Sequence, residues 1–376
     1  MKVLITGAGG FVGKNLQQHL AERKDVEVVC FTRANTAAEL PRLLEGVAFV
    51  FHLAGVNRPQ DPQEFVTGNA DLTAALVQAV EGEMRARGRK IAIVCTSSTQ
   101  AARDNPYGAS KRAAEDVLRA FAARTGAAAH VFRLPNVFGK WCRPNYNSAV
   151  ATFCHNVARG LPIQINDPAA PVTLVYVDDV VERFIQLMDG ADAAVDAEGF
   201  ATVTPQYTTT VGELACQIET FRASRDTLVT ERVGTGFVRA LYSTYVSYLP
   251  PESFAYTVPM HGDARGVFVE MLKTPDCGQF SFFTAHPGIT RGGHYHHTKT
   301  EKFLVIKGRA RYRFRHLLTD EVFEVDSHGD EPLIVETIPG WAHDITNIGD
   351  DELVVMLWAN EIFDRQKPDT VASRVA

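Results

Sequence analysis

The chain has 376 residues, which is too long for one domain of typical size and fits two. Its hydrophobic fraction of 45% and charged fraction of 22% are ordinary for a soluble globular protein, and its net charge is −6 without a long run of one sign. These values give no support for a nucleic-acid partner, and no apolar stretch is long enough for a membrane-spanning helix. The six cysteines lack paired spacing, so we expect a cytoplasmic protein with reduced thiols.

The first part of the chain alternates apolar strands with helical stretches. Strands are predicted at 2–6, 26–31, 47–53, 90–96 and 129–134, and an amphipathic helix is predicted from about Phe11 to Arg23. The apolar start of the chain leads directly into a glycine turn, which favours a first strand over a signal peptide. Strands that alternate with helices form a parallel sheet covered on both faces, and right-handed crossovers make it doubly wound. We therefore predict a Rossmann-type α/β domain over residues 1–245.

A glycine-rich turn follows the first predicted strand and opens the first predicted helix. Gly7, Gly10 and Gly13 give the pattern G-x-x-G-x-x-G. Glycine lets the backbone approach a pyrophosphate, and a helix N-terminus supplies N–H donors to it. The cofactor is expected to contact this turn, including Phe11 and Val12. The alternative is a tight turn that needs only the positive φ of glycine.

The end of the second predicted strand bears on the choice between NAD and NADP. NAD enzymes usually carry an acidic residue there for the ribose hydroxyl. This chain has Thr32 and Arg33 instead. Arg33 offers a cation for a 2′-phosphate, so we predict NADP(H); a merely solvated Arg33 is the alternative.

A tyrosine and a lysine four residues apart are the candidates for hydride chemistry. Tyr107 and Lys111 share one face of a helix, and a nearby ammonium favours proton transfer from a phenol. The strand before them ends in hydroxyl residues, where Ser98 or Thr99 can hold a substrate carbonyl.

Together these segments resemble the extended short-chain dehydrogenase/reductases that act on nucleotide sugars. The matching segments include Leu53-Ala54-Gly55, residues 133–139 (RLPNVFG) and residues 176–180 (YVDDV). The resemblance implies that Ser98, Tyr107 and Lys111 are catalytic, that Leu53, Ala54 and Gly55 join the cofactor site together with Tyr107 and Lys111, and that Asn136 lies near the substrate. The 4,6-dehydratases of this group have an Asp-Glu pair where this chain has Gln100-Ala101, so carbonyl reduction is expected rather than dehydration.

The sequence pattern changes after about residue 245. A connector containing Pro250, Pro251 and Pro259 leads into short alternating segments such as KFLVIKG and LVVMLWA. These predict antiparallel strands of a compact jelly roll. We therefore predict a second, all-β domain over residues 246–376.

This second domain contains a candidate metal site. His294, His296 and Glu301 fall in H-x-H-x₄-E, and His343 follows in P-G-x-x-H. Residues at i and i+2 point to the same side of a strand. Three imidazoles and a carboxylate suit a divalent metal, for which Zn, Ni, Fe and Mn all remain open. The spacing matches the two-part cupin motif; polar barrel residues satisfied by water are the alternative.

Two further segments are similar to those of deoxysugar 3,5-epimerases. They are residues 263–270 (DARGVFVE) and residues 291–295 (RGGHY). The resemblance implies that Arg265 and Arg291 contact the sugar or its phosphates. In those epimerases the histidine at the position of His294 is the base and no metal is present. A ligating His294 cannot also take a proton, so the base must lie elsewhere, and the candidates are Tyr295, His297, Lys302 and Asp344.

One row of cations remains open to two interpretations. The alternating arginines share one strand face and would either bind a diphosphate or form a solvated exterior: Arg309, Arg311, Arg313 and Arg315.

Over essentially its whole length the chain resembles the bifunctional enzymes of capsular polysaccharide biosynthesis, in which an extended reductase is fused to a cupin epimerase domain. The resemblance rests on segments such as NPYG at 105–108, FGKWC at 138–142 and LYSTY at 241–245. It implies a UDP-2-acetamido-2,6-dideoxy-4-hexulose substrate, C3 epimerisation in the cupin domain and NADPH-dependent C4 reduction to UDP-2-acetamido-2,6-dideoxy-L-talose, on the route to N-acetyl-L-fucosamine. It also implies zinc and a homodimer. The alternative is a monofunctional NADP-dependent 4-keto-sugar reductase whose cupin domain only binds sugar.

Overall fold

The computed structural model describes residues 1–263, 266–269, 271–274, 278–361 and 363–375, with backbone alone at 260–263 and 266–269. By packing, the chain divides into two compact units. The first consists of Met1–Val137 with Thr173–Thr208, and the second of Phe138–Val172 with Thr209–Ala376. The domain boundary at residue 245 stays a prediction, since packing places residues 209–245 in the same unit as the predicted barrel.

The first part of the chain alternates strands and helices as expected. In chain order the elements are β1 (Lys2–Thr6), α1 (Phe11–Ala21), β2 (Glu27–Phe31), α2 (Leu40–Leu43), β3 (Phe49–His52), α3 (Gln63–Phe65), α4 (Leu72–Arg87), β4 (Ala92–Ser98), α5 (Pro106–Thr125), β5 (Ala129–Leu134), β6 (Asn136–Phe138), α6 (Ala149–Ala158), β7 (Pro171–Tyr176), α7 (Val177–Met188) and β8 (Tyr207–Thr210). Short 3-10 turns span Ala37–Glu39 and Thr99–Ala102, and a π-helix spans Val66–Asp71.

A parallel sheet in the order β2-β1-β3-β4-β5 forms the centre of the first unit. Its inner strands are apolar on both faces because helices cover both sides, and every residue of β3 is buried. Leu4, Val50, Ile93 and Val131 from four of the strands pack into one core with α4 and α5. Strands β6, β7 and β8 pair as a smaller sheet.

Local sequence signals explain where the longest of these helices begins and ends. The side chain of Asn105 accepts a hydrogen bond from the Gly108 amide at 2.8 Å, and Pro106 occupies the first turn of α5. Gly126 ends the helix with a φ of 64°, a conformation that glycine adopts without strain. This helix carries Tyr107 and Lys111.

The rest of the chain consists of two helices followed by short strands. The elements are α8 (Val211–Thr227), α9 (Gly236–Val246), β9 (Ala255–Thr257), β10 (Met260–Asp263), β11 (Gly266–Val269), β12 (Gln279–Ala285), β13 (Thr290–Tyr295), β14 (Glu301–Lys307), β15 (Arg309–His316), β16 (Val322–His328), β17 (Leu333–Glu336), β18 (Trp341–Asn347), β19 (Leu353–Ala359) and β20 (Val371–Ala372); a 3-10 turn spans Pro251–Ser253.

Two antiparallel sheets build the barrel of the second unit. One has the order β12-β19-β14-β17-β9 and the other the order β16-β15-β18-β13-β20. Aromatic rings fill the space between strands: Phe254 lies edge-on to Trp341 at 5.1 Å and to Phe314 at 5.4 Å between ring centroids. The prediction of a Rossmann-type α/β domain joined to an all-β, cupin-like barrel is confirmed.

None of the helices in the described ranges combines the length and apolar character that crossing a bilayer requires.

Candidate functional sites

The glycine turn of the first unit fits a dinucleotide phosphate. Gly10 is the N-cap of α1 and provides no side chain to cap the helix, and Gly7 has a φ of 69°. A Cβ on Gly7 would lie 2.6 Å from the Ala54 amide nitrogen, and one on Gly13 would collide with the carbonyl oxygen of Gly7. Side chains are therefore excluded at Gly7 and Gly13, and a phosphate can approach the backbone N–H groups of the first helical turn.

The loop after β3 completes the same edge of the sheet. Leu53, Ala54 and Gly55 follow directly on β3 and lie at its carboxyl end. A Cβ on Gly55 would lie 3.1 Å from Lys111 Nζ. The structure therefore brings this loop to both the glycine turn and the candidate catalytic lysine.

Ser98, Tyr107 and Lys111 lie together at the carboxyl end of β4. Ser98 is the last residue of β4, and its hydrogen bond with Tyr107 acts to lower the pKa of the phenol. Burial has the larger effect and raises the pKa of Tyr107, so the phenol is held protonated as a proton donor. Thr99, the competitor of Ser98, is exposed and begins a 3-10 turn.

Lys111 is a buried lysine that lies one helical turn after Tyr107 on α5. Its side chain is 8% exposed, and its Nζ donates to the carbonyl oxygen of Thr96 at 3.0 Å. Burial lowers the pKa of Lys111, and the nearby Cys95 and Glu115 act against this effect. Tyr107 and Lys111 are four residues apart on α5 and therefore share one face of that helix.

A hydrogen-bond network connects the loop after β3 with α5 through the π-helix. The sequence analysis did not predict it. Asn69, in the π-helix, donates to Ser110 Oγ at 3.0 Å and to the Val56 carbonyl at 3.0 Å. His52 joins Thr6 to Thr73 through its two ring nitrogens, at 2.7 and 2.8 Å. π-Helical turns are frequent at functional sites, but a sequence gives no periodic signal for one.

The other predicted residues of this unit lie at its surface. Thr32 follows β2 and bonds to Asn35 Oδ1, and Arg33 is exposed beside it. Asn136, in β6, is exposed and donates to the Thr173 carbonyl at 3.2 Å.

In the second unit, the structure brings together the four residues predicted as metal ligands. One potential ligand atom from each of His294, His296, Glu301 and His343 lies within 4.8 Å of the others. The ring centroids of His294 are 5.0 Å from His296 and 4.7 Å from His343. Glu301 Oε2 lies 3.1 Å from His296 Nε2 and 3.5 Å from His343 Nε2.

The donor set of this cluster fits a divalent metal. His343 Nε2 is buried and has no hydrogen-bond partner among the described residues. Burial, with the neighbouring imidazoles, lowers the pKa of His294 to about 3, and burial also lowers the pKa of His343. Burial alone would raise the pKa of Glu301, but His296 and His343 hold it well below its usual range. Neutral imidazoles and an ionised carboxylate are the forms that bind metals.

A β-bulge directs the first ligand into the cluster. The register between β13 and β18 shifts between Gly292 and His294. Gly292 has a φ of 97° and Gly293 a φ of 69°, values that residues other than glycine rarely adopt. A Cβ on Gly292 would also lie 3.0 Å from the His343 carbonyl oxygen. The glycine pair in R-G-G-H therefore allows the bend that places His294 opposite His343.

A cavity of about 190 Å³ adjoins the cluster. Its lining residues include His294, Glu301, His343, Arg291, Phe303 and Tyr312. The predicted substrate residue Arg291 thus borders this cavity, and its guanidinium lies 5.0 Å from the ring centroid of Phe283. Arg265 lies outside the described residues.

Tyr312 is a lining residue that sequence reasoning missed. It is 2% exposed, and its hydroxyl has no hydrogen-bond partner among the described residues. Its position in β15 could have indicated it, because Ala310, Tyr312 and Phe314 alternate with the arginines and form the buried face of that strand.

The candidates for the epimerisation base have other contacts. Lys302 lies on the opposite face of β14 from Glu301 and forms an ion pair with Glu336. Asp344 accepts two hydrogen bonds from Arg313, at 3.0 and 2.9 Å. Tyr295 packs in a small apolar cluster, and His297 lies against its ring.

The arginine row lies on the exterior face of β15. Arg311 forms a bidentate pair with Asp326, and Arg315 bonds to Asp320 at 2.7 Å. With Arg313 on Asp344, these pairs favour a solvated, ion-paired exterior over diphosphate binding.

Comparison with known proteins places the chain in a family. The family described as NAD dependent epimerase/dehydratase matches residues 3–200, more than half of the chain. The chain belongs to this family. Residues 261–371 match the polysaccharide biosynthesis C-terminal domain.

Full-length relatives share both units. The UDP-2-acetamido-2,6-beta-L-arabino-hexul-4-ose reductase of Pseudomonas aeruginosa is 61% identical over 376 residues, which are 100% of this chain and 99% of that protein. The crystal structure of the capsular polysaccharide assembling protein CapF from Staphylococcus aureus is 42% identical, covers 100% of both chains and superposes with a TM-score of 0.68. UDP-glucose 4-epimerase from Thermotoga maritima covers 59% of this chain with 23% identity and a TM-score of 0.52, a likeness of fold. The chain is thus a CapF-like protein.

Proposed function

We propose that this protein is a bifunctional nucleotide-sugar enzyme of capsule or O-antigen polysaccharide biosynthesis. Its substrate is a UDP-2-acetamido-2,6-dideoxy-4-hexulose. The barrel epimerises C3, and the Rossmann-type unit then reduces the C4 ketone with NADPH to UDP-2-acetamido-2,6-dideoxy-L-talose. The observation that carries the proposal is that one chain, similar over its full length to a hexul-4-ose reductase, holds both a Ser98–Tyr107–Lys111 site and a His/Glu cluster beside a cavity.

The contacts at Tyr107 support the reduction step. Bound at the glycine turn, NADPH supplies a hydride to the carbonyl carbon. The oxygen that becomes negative at C4 needs a proton, and Tyr107 is a protonated phenol close to Ser98. Ser98 holds the carbonyl oxygen, and the Lys111 ammonium favours the phenolate that remains after the proton leaves.

The chemistry of the substrate links the two proposed steps. A ketone at C4 makes the C3 hydrogen acidic, so a base can remove it and leave an enolate. Reprotonation from the opposite face inverts C3. The site must stabilise the negative oxygen of that enolate. A divalent metal, proposed as zinc, held by His294, His296, Glu301 and His343 would supply Lewis acidity beside the cavity. Reduction then removes the ketone and fixes the new configuration.

An NMR time course with the UDP-linked keto sugar in D₂O tests the proposal. Without NADPH, we expect deuterium uptake at C3; with NADPH, we expect the reduced talose-configured product. The Tyr107→Phe variant should keep deuterium uptake and lose reduction by roughly 10²–10⁴-fold. The His343→Ala variant should lose bound zinc and slow deuterium uptake.

The same experiment separates the proposal from its main alternative. A monofunctional reductase with a sugar-binding barrel would reduce the ketone with no deuterium uptake at C3. Unchanged reduction by Tyr107→Phe would contradict the proposed hydride chemistry. Stoichiometric zinc in His343→Ala would contradict the ligand set.

A further inference from the structure

The segment between the second and third proposed ligands is buried, and each of its backbone amides from His297 to Thr300 donates a hydrogen bond. Residues 296–300 are all buried, although they are polar or charged: His296, His297, Thr298, Lys299 and Thr300. A buried amide without a partner is destabilising, so each one needs an acceptor. Neither a helix nor a strand covers residues 296–300. Side chains from elsewhere in the chain supply the acceptors instead.

The Asp369 carboxylate accepts three of these amide hydrogen bonds with its two oxygens. Its Oδ1 accepts from the His297 amide at 2.9 Å, and its Oδ2 accepts from the amides of Thr298 at 2.9 Å and Lys299 at 2.7 Å. Oδ2 also accepts from the Thr298 hydroxyl at 3.1 Å. One carboxylate therefore fixes the backbone of three consecutive residues between two proposed ligands.

Two other side chains continue the same pattern up to the third ligand. The Asn360 Oδ1 accepts from the Thr300 amide at 2.9 Å, and the Thr337 hydroxyl accepts from the Glu301 amide at 2.9 Å. Asp369 differs from these two residues because it also bonds to the side chain of a proposed ligand.

The backbone of Asp369 bonds directly to His296. Its carbonyl oxygen lies 2.6 Å from His296 Nδ1. A carbonyl only accepts, so Nδ1 carries a proton, which leaves Nε2, 3.1 Å from Glu301 Oε2, as the ring nitrogen that would bind the metal. Such a bond fixes both the tautomer and the ring orientation of a metal-binding histidine. The neighbouring strand β20 pairs with β13 through Val371 and Ala372, which holds Asp369 at this place.

The backbone of Asp369 adopts a conformation that has a cost. Its φ is 38°, which lies in the left-handed region that few residues other than glycine, asparagine and aspartate occupy. Reciprocal contacts hold it there: Lys299 Nζ donates to the Pro368 carbonyl at 3.0 Å and to Thr370 Oγ1 at 2.7 Å.

We propose that Asp369 is a positioning residue for the metal site: its carboxylate fixes residues 297–299 and its carbonyl fixes the His296 ring, so that His296 and Glu301 are oriented before the metal binds. The inference rests on the proposed metal site and adds to it a residue distant in sequence. Supporting contacts of this kind typically change metal affinity 10–100-fold.

Zinc affinity of the full-length protein, measured by competition with a chromophoric chelator, tests the role. Asp369→Ala and Asp369→Gly should bind zinc about 10–100-fold more weakly than the wild type. Glycine tolerates the positive φ, so a loss of zinc affinity in Asp369→Gly would come from the missing carboxylate and not from backbone strain. Asp369→Asn also tolerates that φ and keeps one acceptor oxygen, and it should bind zinc with intermediate affinity. Asp330→Ala, at an exposed aspartate of the same unit, is the matched control and should bind as the wild type does.

Thermal unfolding of the same variants after chelator treatment separates positioning from general stability. Wild-type zinc affinity in folded Asp369→Gly and Asp369→Asn, even with a lowered melting temperature, would overturn the inference and leave the metal site standing. A wild-type protein that binds no zinc would overturn the metal site itself, and this inference with it.

Discussion

At the scale of single residues, cofactor preference depends on the side chain that follows β2. Arg33 is exposed beside Thr32, and no carboxylate occupies the positions from 32 to 35. A guanidinium pairs with a phosphate through charge-assisted hydrogen bonds worth about 1.5–3 kcal/mol. We therefore expect Arg33→Ala to raise the KM for NADPH roughly 10–100-fold and to leave the KM for NADH nearly unchanged.

Steady-state kinetics with both cofactors check this expectation. The control is Arg42→Ala, which removes another surface arginine whose side chain is 71% exposed. A wild-type enzyme that prefers NADH would show that Arg33 is a solvated surface cation and that the NADP(H) prediction is wrong.

Two buried tyrosines offer a matched test of hydroxyl pairing. The Tyr312 hydroxyl lacks a protein partner in the described part of the chain, whereas the Tyr248 hydroxyl donates to the Cys142 carbonyl. Removing an unpaired buried hydroxyl costs nothing, so Tyr312→Phe should leave the free energy of unfolding unchanged or raise it by up to about 1 kcal/mol. Tyr248→Phe leaves a carbonyl without its donor and should lower it by about 1–3 kcal/mol.

Urea denaturation with zinc held constant measures both variants. Equal losses in the two would mean that the Tyr312 hydroxyl has a partner of its own, such as an ordered water in the cavity.

At the scale of elements, the sequence predicted best what depends on short-range pattern. Apolar runs located β1 to β5 within a few residues, and the glycine pattern located the turn before α1, because burial on both faces and positive φ leave direct marks on composition. The four proposed ligands were also found from spacing, since H-x-H and P-G-x-x-H each belong to one strand or its end.

Elements that depend on distant partners could not be predicted in the same way. The π-helix at Val66–Asp71 has no periodicity of its own, and the role of Asn69 is apparent only from its hydrogen bond to Ser110, 41 residues away in the sequence. β20 has two residues, and Asp369 precedes it in an irregular stretch. Their roles follow from long-range hydrogen bonds that a single sequence does not display.

The contact between α8 and the barrel strands also depends on residues distant in sequence, and it contains a cluster of buried charged side chains. Glu336 of β17 is 4% exposed and forms ion pairs with Lys302 of β14 and Arg225 of α8. The Tyr256 hydroxyl accepts from Lys302 at 2.9 Å. Removing one partner of a buried ion pair leaves an uncompensated charge.

Glu336→Leu should therefore lower the free energy of unfolding by about 3–5 kcal/mol. Lys302→Met should cost less, because Arg225 still neutralises Glu336. The double variant Lys302→Met/Glu336→Leu should be more stable than Glu336→Leu alone, since the buried ammonium is gone. Chemical denaturation measures all three, with the exposed Glu331→Leu as the control for added apolar surface.

This series also tests Lys302 as the epimerisation base. Its ion pair lies on the opposite face of β14 from Glu301, so folded Lys302→Met should keep deuterium uptake at C3. Loss of uptake with full zinc occupancy would make Lys302 a catalytic candidate again. A Glu336→Leu variant as stable as the wild type would contradict the energetic role of the network.

At the scale of the whole molecule, the residues proposed to bind NADPH lie in one packing unit and those proposed to bind zinc lie in the other. The glycine turn, Arg33, Tyr107 and Lys111 are in the first unit, and the four proposed metal ligands are in the second. A ligand stabilises the unit that binds it by RT ln(1 + [L]/Kd), which is about 2.7 kcal/mol at 100 times Kd. For units of 150–250 residues, each kcal/mol raises the melting temperature by roughly 2–4 °C.

Calorimetry of the full-length protein should therefore resolve two transitions that respond separately. NADPH should raise the midpoint of one by several degrees, and a zinc chelator should lower the midpoint of the other. His343→Ala should abolish the chelator response and keep the NADPH response, while Gly13→Val, which closes the glycine turn, should do the reverse. A single transition moved by both treatments would mean that the units unfold as one cooperative body, because binding energy at either site would then stabilise the whole chain.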